Sequence, residues 1–158
     1  METNSDIMPF NLKVAEIKEV EDHPDAEKLF VMKIDLGCEQ RQLVAGLRQR
    51  FSADELVGKH IVVVTNLEHA TLRGKKSEGM LLAAEKDNVV KIIETKNSKP
   101  GDRVYIEGFN DNGSIISFKV FSAAKREVKN KKVLINGQEL KTVNETIQID
   151  MPDGADVR

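Results

Sequence analysis

The chain has 158 residues, 40% of them hydrophobic and 32% charged, a composition typical of a globular protein and outside the disordered class. This length allows one domain with a packed extension but excludes two large domains. No apolar run reaches the roughly 18 residues that a membrane helix needs, and the first ten residues lack a signal-peptide pattern. Because the single cysteine, Cys38, also suits a reducing compartment, we expect a cytoplasmic protein without a membrane partner.

The distribution of charge is more informative than the net charge of -2. Residues 16–27 contain six acidic side chains and one lysine, whereas residues 28–80 contain nine basic and six acidic side chains. Such asymmetry can give one face a positive field on a nearly neutral molecule. A mixed, solvated surface is the competing interpretation at this point.

The N-terminal two thirds of the chain has the pattern of a small β protein. The proline-containing corner His23-Pro24-Asp25 ends the first alternating segment, and Ser52 and Glu55 form a capping-box pattern that predicts a single helical turn. The segments that predict strands are 12–20, 29–36, 43–46, 61–64, 80–84, 89–93 and 104–106. Short strands with one brief helix favour a small antiparallel barrel over a βαβ sheet.

Composition changes at the turn-rich segment 110–113. Beyond it, 115–121 predicts a strand, basic residues gather between 125 and 132, and an Asn136-Gly137 pair predicts a hairpin turn before a last strand at 146–149. A segment of this size is too small to form a core of its own. We therefore expect three parts, namely an N-terminal arm at 1–10, a barrel at 11–109 and a small α+β extension at 110–158 packed on the barrel.

Several motifs resemble a known family when they are taken together in chain order. They are Leu12-Lys13-Val14-Ala15-Glu16-Ile17, His23-Pro24-Asp25-Ala26-Glu27-Lys28-Leu29, Val44-Ala45-Gly46-Leu47, Leu56-Val57-Gly58-Lys59, Val63-Val64-Thr65-Asn66-Leu67, Leu72-Arg73-Gly74 and Ser77-Glu78-Gly79-Met80-Leu81-Leu82-Ala83-Ala84. Their order and spacing resemble the tRNA-binding domain of bacterial tRNA-binding proteins, of methionyl- and some tyrosyl-tRNA synthetases and of endothelial monocyte-activating polypeptide II. The tail resembles the extra C-terminal domain of the polypeptide II branch.

This resemblance implies a mainly β fold, an oligonucleotide-binding (OB) five-stranded antiparallel barrel, and a monomer, since the extension covers the surface through which bacterial relatives dimerise. It implies a non-catalytic module that binds tRNA without sequence specificity and delivers or retains it for an aminoacyl-tRNA synthetase, with the methionyl enzyme expected, or for a multi-synthetase complex. The RNA-contacting positions that the resemblance implies are Asn66, Arg73, Ser77 and Met80, with Lys33 and Arg48 as basic neighbours.

The chemistry of residues 66–80 agrees with RNA binding. Arg73, Lys75 and Lys76 offer donors to phosphates in a loop that contains glycine, Asn66 and Ser77 offer polar groups, and Met80 offers a polarisable surface for a base. Each residue also has a structural alternative: a turn for Asn66, a solvated loop for the lysines and core packing for Met80. The low aromatic content of 4% favours recognition of folded RNA by shape over stacking along an extended strand.

Nothing in the sequence predicts catalysis, a cofactor or a metal site. His23, His60 and His69 have no metal-ligand spacing, and no phosphate-cradling or nucleophile-elbow motif is present. Two other functions stay open. The second hypothesis is a protein-interaction or cytokine-like module of a synthetase complex, and the third is a general single-strand binder.

Overall fold

The computed structural model describes residues 7–111 and 113–158. Residues 1–6 of the expected arm and Asn112 of the expected junction lie outside the described residues. The strands are β1 (Ile7–Met8), β2 (Leu12–Asp22), β3 (Phe30–Asp35), β4 (Gln40–Ala45), β5 (His60–Val64), β6 (Ala70–Leu72), β7 (Lys75–Ser77), β8 (Met80–Leu81), β9 (Ala83–Lys86), β10 (Val89–Ile92), β11 (Arg103–Ile106), β12 (Asn110–Asp111), β13 (Arg126–Lys129), β14 (Lys132–Ile135), β15 (Gln138–Lys141) and β16 (Asp156–Val157). The helices are α1 (Ala53–Leu56) and α2 (Phe118–Ala123).

The fold is mainly β and antiparallel, as expected for an OB-type barrel. β2 pairs with β3, β5 and β11, and β3 pairs with β4. Hydrogen bonds between the described strands do not join β4 to β8, so the barrel has a seam between these two strands. The single helical turn lies where the sequence predicts it, because Ser52 accepts from the amide of Glu55 and the Glu55 carboxylate accepts from the amide of Ser52.

Strand β5 separates two hydrophobic cores. Ile61 and Val63 point into the barrel core, whereas Val62 and Val64 point into a second core. The second core also contains side chains from the C-terminal segment, which we define as residues 113–158. A run of four β-branched residues is therefore buried on both faces, which is why it lacks the alternation of a half-exposed strand.

The C-terminal segment continues the sheet of the barrel. The order of paired strands runs from β9 through β16, β13, β14 and β15 to β11 and β2. Positive φ angles at Asn136 and Gly137 (52° and 81°) make the tight turn between β14 and β15, and this confirms the predicted hairpin.

Two predicted strands in this segment are wrong. Residues 115–121 form an isolated bridge at Ile116 and then helix α2, because Ser117 caps the helix by accepting from the amide of Val120. The helix buries Phe121 against Phe10, with ring centroids 5.1 Å apart. Residues 146–149 make isolated bridges instead of a strand, and the basic stretch contributes β13, which the sequence did not predict.

No helix among the described residues is long and apolar enough to cross a membrane.

Glu145 joins the C-terminal segment to the barrel. Its carboxylate accepts from the amides of Lys96 (3.0 Å) and Asn97 (2.7 Å) and from the hydroxyl of Ser98 (2.6 Å). Partial burial raises the pKa of Glu145, but the hydrogen bonds and the nearby charge of Lys96 outweigh it, so the pKa lies below its ordinary value. The folded state therefore favours the ionised carboxylate.

We predict that Glu145→Gln lowers the free energy of unfolding at pH 7 by about 1–3 kcal/mol, because charge-assisted bonds are lost. A lowered pKa in the folded state contributes stability above the unfolded pKa, and this contribution disappears as the pH falls through the folded pKa. Urea denaturation at pH 7 and at pH about 3 should therefore show a difference between variant and wild type that shrinks in acid. Glu21→Gln, at an exposed carboxylate, is the control. An equal difference in unfolding free energy at both pH values would contradict the lowered pKa of Glu145.

Candidate nucleic-acid interface

The basic residues predicted from sequence meet at a hairpin formed by β6 and β7. Arg73 and Gly74 make its tight turn with φ angles of 53° and 90°, which is the type I′ geometry that matches strand twist. Thr71 and Leu72 pair with Lys76 and Lys75. The sequence predicted only a glycine-containing loop here, and it did not predict that the two sides of the loop pair as antiparallel strands.

The hairpin is fastened to the corner that follows β2. The buried ring of His23 accepts from the amide of Asp25 at Nδ1 (2.9 Å), and its Nε2 lies 2.9 Å from the carbonyl oxygen of Leu72. These two partners assign the proton to Nε2, which donates to Leu72. Arg73 adds a hydrogen bond from Nη2 to the carbonyl of Asp25 (3.1 Å). His23 therefore positions the basic turn.

Arg48 holds the same corner from its other side. Its guanidinium donates to the carbonyls of His23 (3.4 Å) and Ala26 (3.2 Å) and forms an ion pair with Asp22 at 3.1 Å. Since these contacts occupy both terminal nitrogens, Arg48 in the free protein serves the shape of the corner.

Three lysines form the exposed cationic part of this surface. Lys33 Nζ donates to Gln42 Oε1 (2.6 Å), and Gln42 Nε2 donates to the carbonyl of Lys76 (2.8 Å). Gln42 thus connects two lysines that are 43 positions apart in sequence. Within residues 7–111 and 113–158, the side chains of Lys75 and Lys76 form no ion pair and no hydrogen bond, and both are exposed. We call Lys33, Arg73, Lys75 and Lys76 the basic surface.

A shallow depression of about 550 Å³ borders the basic surface. Lys33, Gln42 and Lys76 line it, together with Arg41 and Glu78. Sequence reasoning missed Gln42, although the antiparallel register that pairs it with Lys33 follows from the lengths of the two strands and their turn.

Asn66 lies away from solvent, with 5% of its surface exposed. Its Oδ1 accepts from the amide of Asn11 (2.8 Å), and its Nδ2 donates to the carbonyls of Pro9 (3.0 Å) and Ser114 (2.9 Å). The side-chain amide of Asn66 therefore joins the N-terminal arm, the end of β5 and the start of the C-terminal segment. RNA contact through Asn66 stays a prediction.

Ser77 bridges the seam of the barrel. Its buried hydroxyl accepts from the amide of Val44 (3.0 Å) and donates to the carbonyl of Gly79 (3.0 Å). Close by, the amide of Glu78 donates to the carbonyl of Gln42 (2.7 Å), and the Glu78 carboxylate accepts from the amide of Gln42 (2.9 Å). Side chains thus replace part of a strand pairing, and RNA contact through Ser77 also stays a prediction.

Met80 is half-buried and packs against the second core.

Among the described residues, no group of three or more histidine, cysteine, aspartate or glutamate side chains could hold a metal ion. The chemistry that this site offers is donation of hydrogen bonds and positive charge.

An OB-type β fold with exposed cations beside its barrel defines a class of nucleic-acid-binding domains, and comparison with known proteins makes the assignment specific. The family model described as "Putative tRNA binding domain" matches residues 12–103, more than half of the chain. The chain belongs to this tRNA-binding domain family.

Two similar proteins are methionine–tRNA ligases. That of Thermococcus onnurineus is 48% identical over 100 residues, which cover 63% of this chain and 14% of the ligase. That of Borrelia garinii subsp. bavariensis is 39% identical over 156 residues, which cover 90% of this chain and 22% of the ligase. The chain thus spans less than a quarter of the length of these ligases. It is a binding domain and not the catalytic part of a synthetase.

The fold resembles a solved structure along almost its whole length. The C-terminal domain of Plasmodium vivax p43 superposes with a TM-score of 0.82 at 24% identity, over 94% of this chain and 96% of that domain. At this identity the likeness concerns the fold, and it includes the C-terminal segment.

We predict that Asn66→Ala lowers the free energy of unfolding by about 2–3 kcal/mol, because the amide of Asn11 and two carbonyls lose their partner. Chemical denaturation measures this loss. Asn144→Ala, at an exposed asparagine, is the matched control and should unfold like the wild type. If Asn66→Ala kept wild-type stability and lost only tRNA affinity, Asn66 would be an RNA contact and not a structural one.

Proposed function

We propose that this chain is a tRNA-binding module that holds folded RNA by its phosphate backbone, without sequence specificity, through the basic surface. The observation that carries the proposal is the pair of exposed lysines, Lys75 and Lys76, on a hairpin that His23 fixes in place. Their charges face solvent without a carboxylate partner among the described residues. They are therefore available to neutralise phosphates and release counterions.

The predicted residues outside the basic surface support it in two ways. Arg48 holds the corner beside the hairpin, while Asn66 and Ser77 hold strands and segments together from buried positions. In the proposal, Lys33, Arg73, Lys75 and Lys76 contact phosphates directly. Contact by Arg48, Asn66, Ser77 and Met80 also belongs to the proposal, and it would require their present protein contacts to be rearranged or shared.

The module serves an aminoacyl-tRNA synthetase in the cytoplasm, with the methionyl enzyme as the proposed partner. The similar proteins named above include methionine–tRNA ligases, and a domain that retains tRNA beside such an enzyme raises its local concentration. The proposal divides the chain at 1–10, 11–109 and 110–158. A monomer is supported by Val62 and Val64, because the C-terminal segment buries the outer face of β5.

We predict that the double variant Lys75→Ala/Lys76→Ala binds bulk tRNA more weakly, by about five- to eightfold for each lysine at 0.1 M salt, since each phosphate contact contributes about 0.7–0.9 to the slope of log K against log salt. Fluorescence anisotropy across a salt series measures both quantities. The slope should become shallower by about the same 0.7–0.9, one contact's share, for each lysine removed.

The matched control is Lys99→Ala/Lys129→Ala, which removes two exposed lysines that lie outside the basic surface. Its affinity and slope should stay within error of the wild type. Equal losses in the two double variants would mean that binding depends on net charge alone and would refute the assigned surface. A wild-type protein that captures a synthetase but binds no tRNA would favour the protein-interaction function instead.

A further inference from the structure

An apolar groove of about 430 Å³ opens along the seam between β4 and β8. Its lining includes Leu47, Met80, Leu81 and Val90 from the barrel and Phe118 from helix α2. Gly79 also lines the groove and lies two residues after Ser77, the last residue of the hairpin that carries Lys75 and Lys76. The groove thus begins beside this hairpin.

Several main-chain groups along both walls already have partners. On the β4 side, the amide of Val44 donates to Ser77, and the carbonyl of Ala45 accepts from the amide of Leu47. On the other side, the amide and carbonyl of Ala83 both bond to the backbone of Arg158, each at 2.7 Å. An added peptide strand needs free main-chain donors and acceptors. The groove therefore favours an occupant that binds through a flat apolar surface.

One aromatic ring on the groove is open to solvent. Phe118 has 56% of its surface exposed, and it is the one phenylalanine of the six, all in the described part of the chain, that is classed as exposed. The buried ring of Phe121 supports it from behind, with centroids 5.9 Å apart. An exposed ring on a fixed support offers the stacking surface that a nucleobase uses.

Two guanidinium groups, those of Arg50 and Arg158, lie at the rim of the groove. Arg50 and Arg158 both contact the carboxylate of Glu85, so that two guanidinium groups share one acid. Arg50 also donates to the carbonyl of Asn88 (2.7 Å). The Arg158 side chain is 60% exposed. An apolar floor beside the exposed guanidinium of Arg158 complements a base that is attached to a phosphate.

We propose that this groove binds one unpaired nucleobase of the RNA, stacked on Phe118 and Met80, with its phosphate at Arg158. The inference rests on the proposed function and adds to it a preference for RNA with an unstacked base. The basic surface holds the paired part of the RNA, and the groove accepts a base from a single-stranded end or loop.

Phe118→Trp places a fluorescent side chain in the groove, and its signal is unambiguous because the chain contains no other tryptophan. The probes are a blunt RNA duplex and the same duplex with a single-stranded extension. The extended duplex should quench tryptophan fluorescence, and the blunt duplex should not. Absence of quenching by the extended duplex overturns the proposal, as does quenching by an apolar peptide but by neither RNA.

Affinity provides the second readout. Phe118→Leu should weaken binding of the extended duplex by about five- to 150-fold, the range for one base stacked on an aromatic ring, and leave binding of the blunt duplex unchanged. Phe118→Tyr keeps the ring and should keep the affinity. Val143→Ala removes an exposed apolar side chain that does not line the groove, and it controls for general loss of apolar surface.

The outcomes separate the two proposals. If Phe118→Leu binds both duplexes like the wild type while Lys75→Ala/Lys76→Ala binds both more weakly, the groove proposal is overturned and the proposed function stands. If the wild type binds neither duplex and no tRNA, both are overturned.

Discussion

Burial of β5 on both faces is the constraint on which the rest of the structure depends. Ile61 and Val63 complete the barrel core, and Val62 and Val64 need a second cover, which the C-terminal segment supplies. Without this cover the outer face of β5 would expose a contiguous apolar patch. The same packing fixes where β9 meets β16 and where helix α2 lies. The basic surface therefore lies on the barrel, whereas the C-terminal segment covers the outer face of β5.

Local signals in the sequence predicted the parts of the fold that local chemistry decides. The capping box at Ser52, the Asn136-Gly137 turn and the β-branched run of β5 all involve residues within a few positions of each other. Helix α2 was mistaken for a strand because its burial depends on Phe10, which is more than one hundred positions away. No local pattern announces a partner at that distance, and tertiary packing overrides the apparent preference.

The candidate site divides in the same way. Its cations were recognisable because charge is a property of single residues, and the exposed Lys75 and Lys76 need no partner to be identified. Most internal bonds of Asn66 and Ser77 were not recognisable, since all of their partners except Gly79 lie 33 to 57 positions away. An asparagine or serine can contact a ligand at a binding surface or bond to buried main-chain groups. The side chain is the same in both cases, and only the coordinates distinguish them.

The fastening of the β6–β7 hairpin has a consequence for the thermodynamics of association. Its backbone is tied at Leu72 by His23 and beyond Ser77 by the contacts of Glu78 with Gln42. The conformational entropy of this turn is therefore lost during folding, and in the proposed function only the lysine side chains have to be immobilised when a ligand arrives. Preorganisation of this kind favours a rapid encounter with a polyanion, because no slow rearrangement precedes docking.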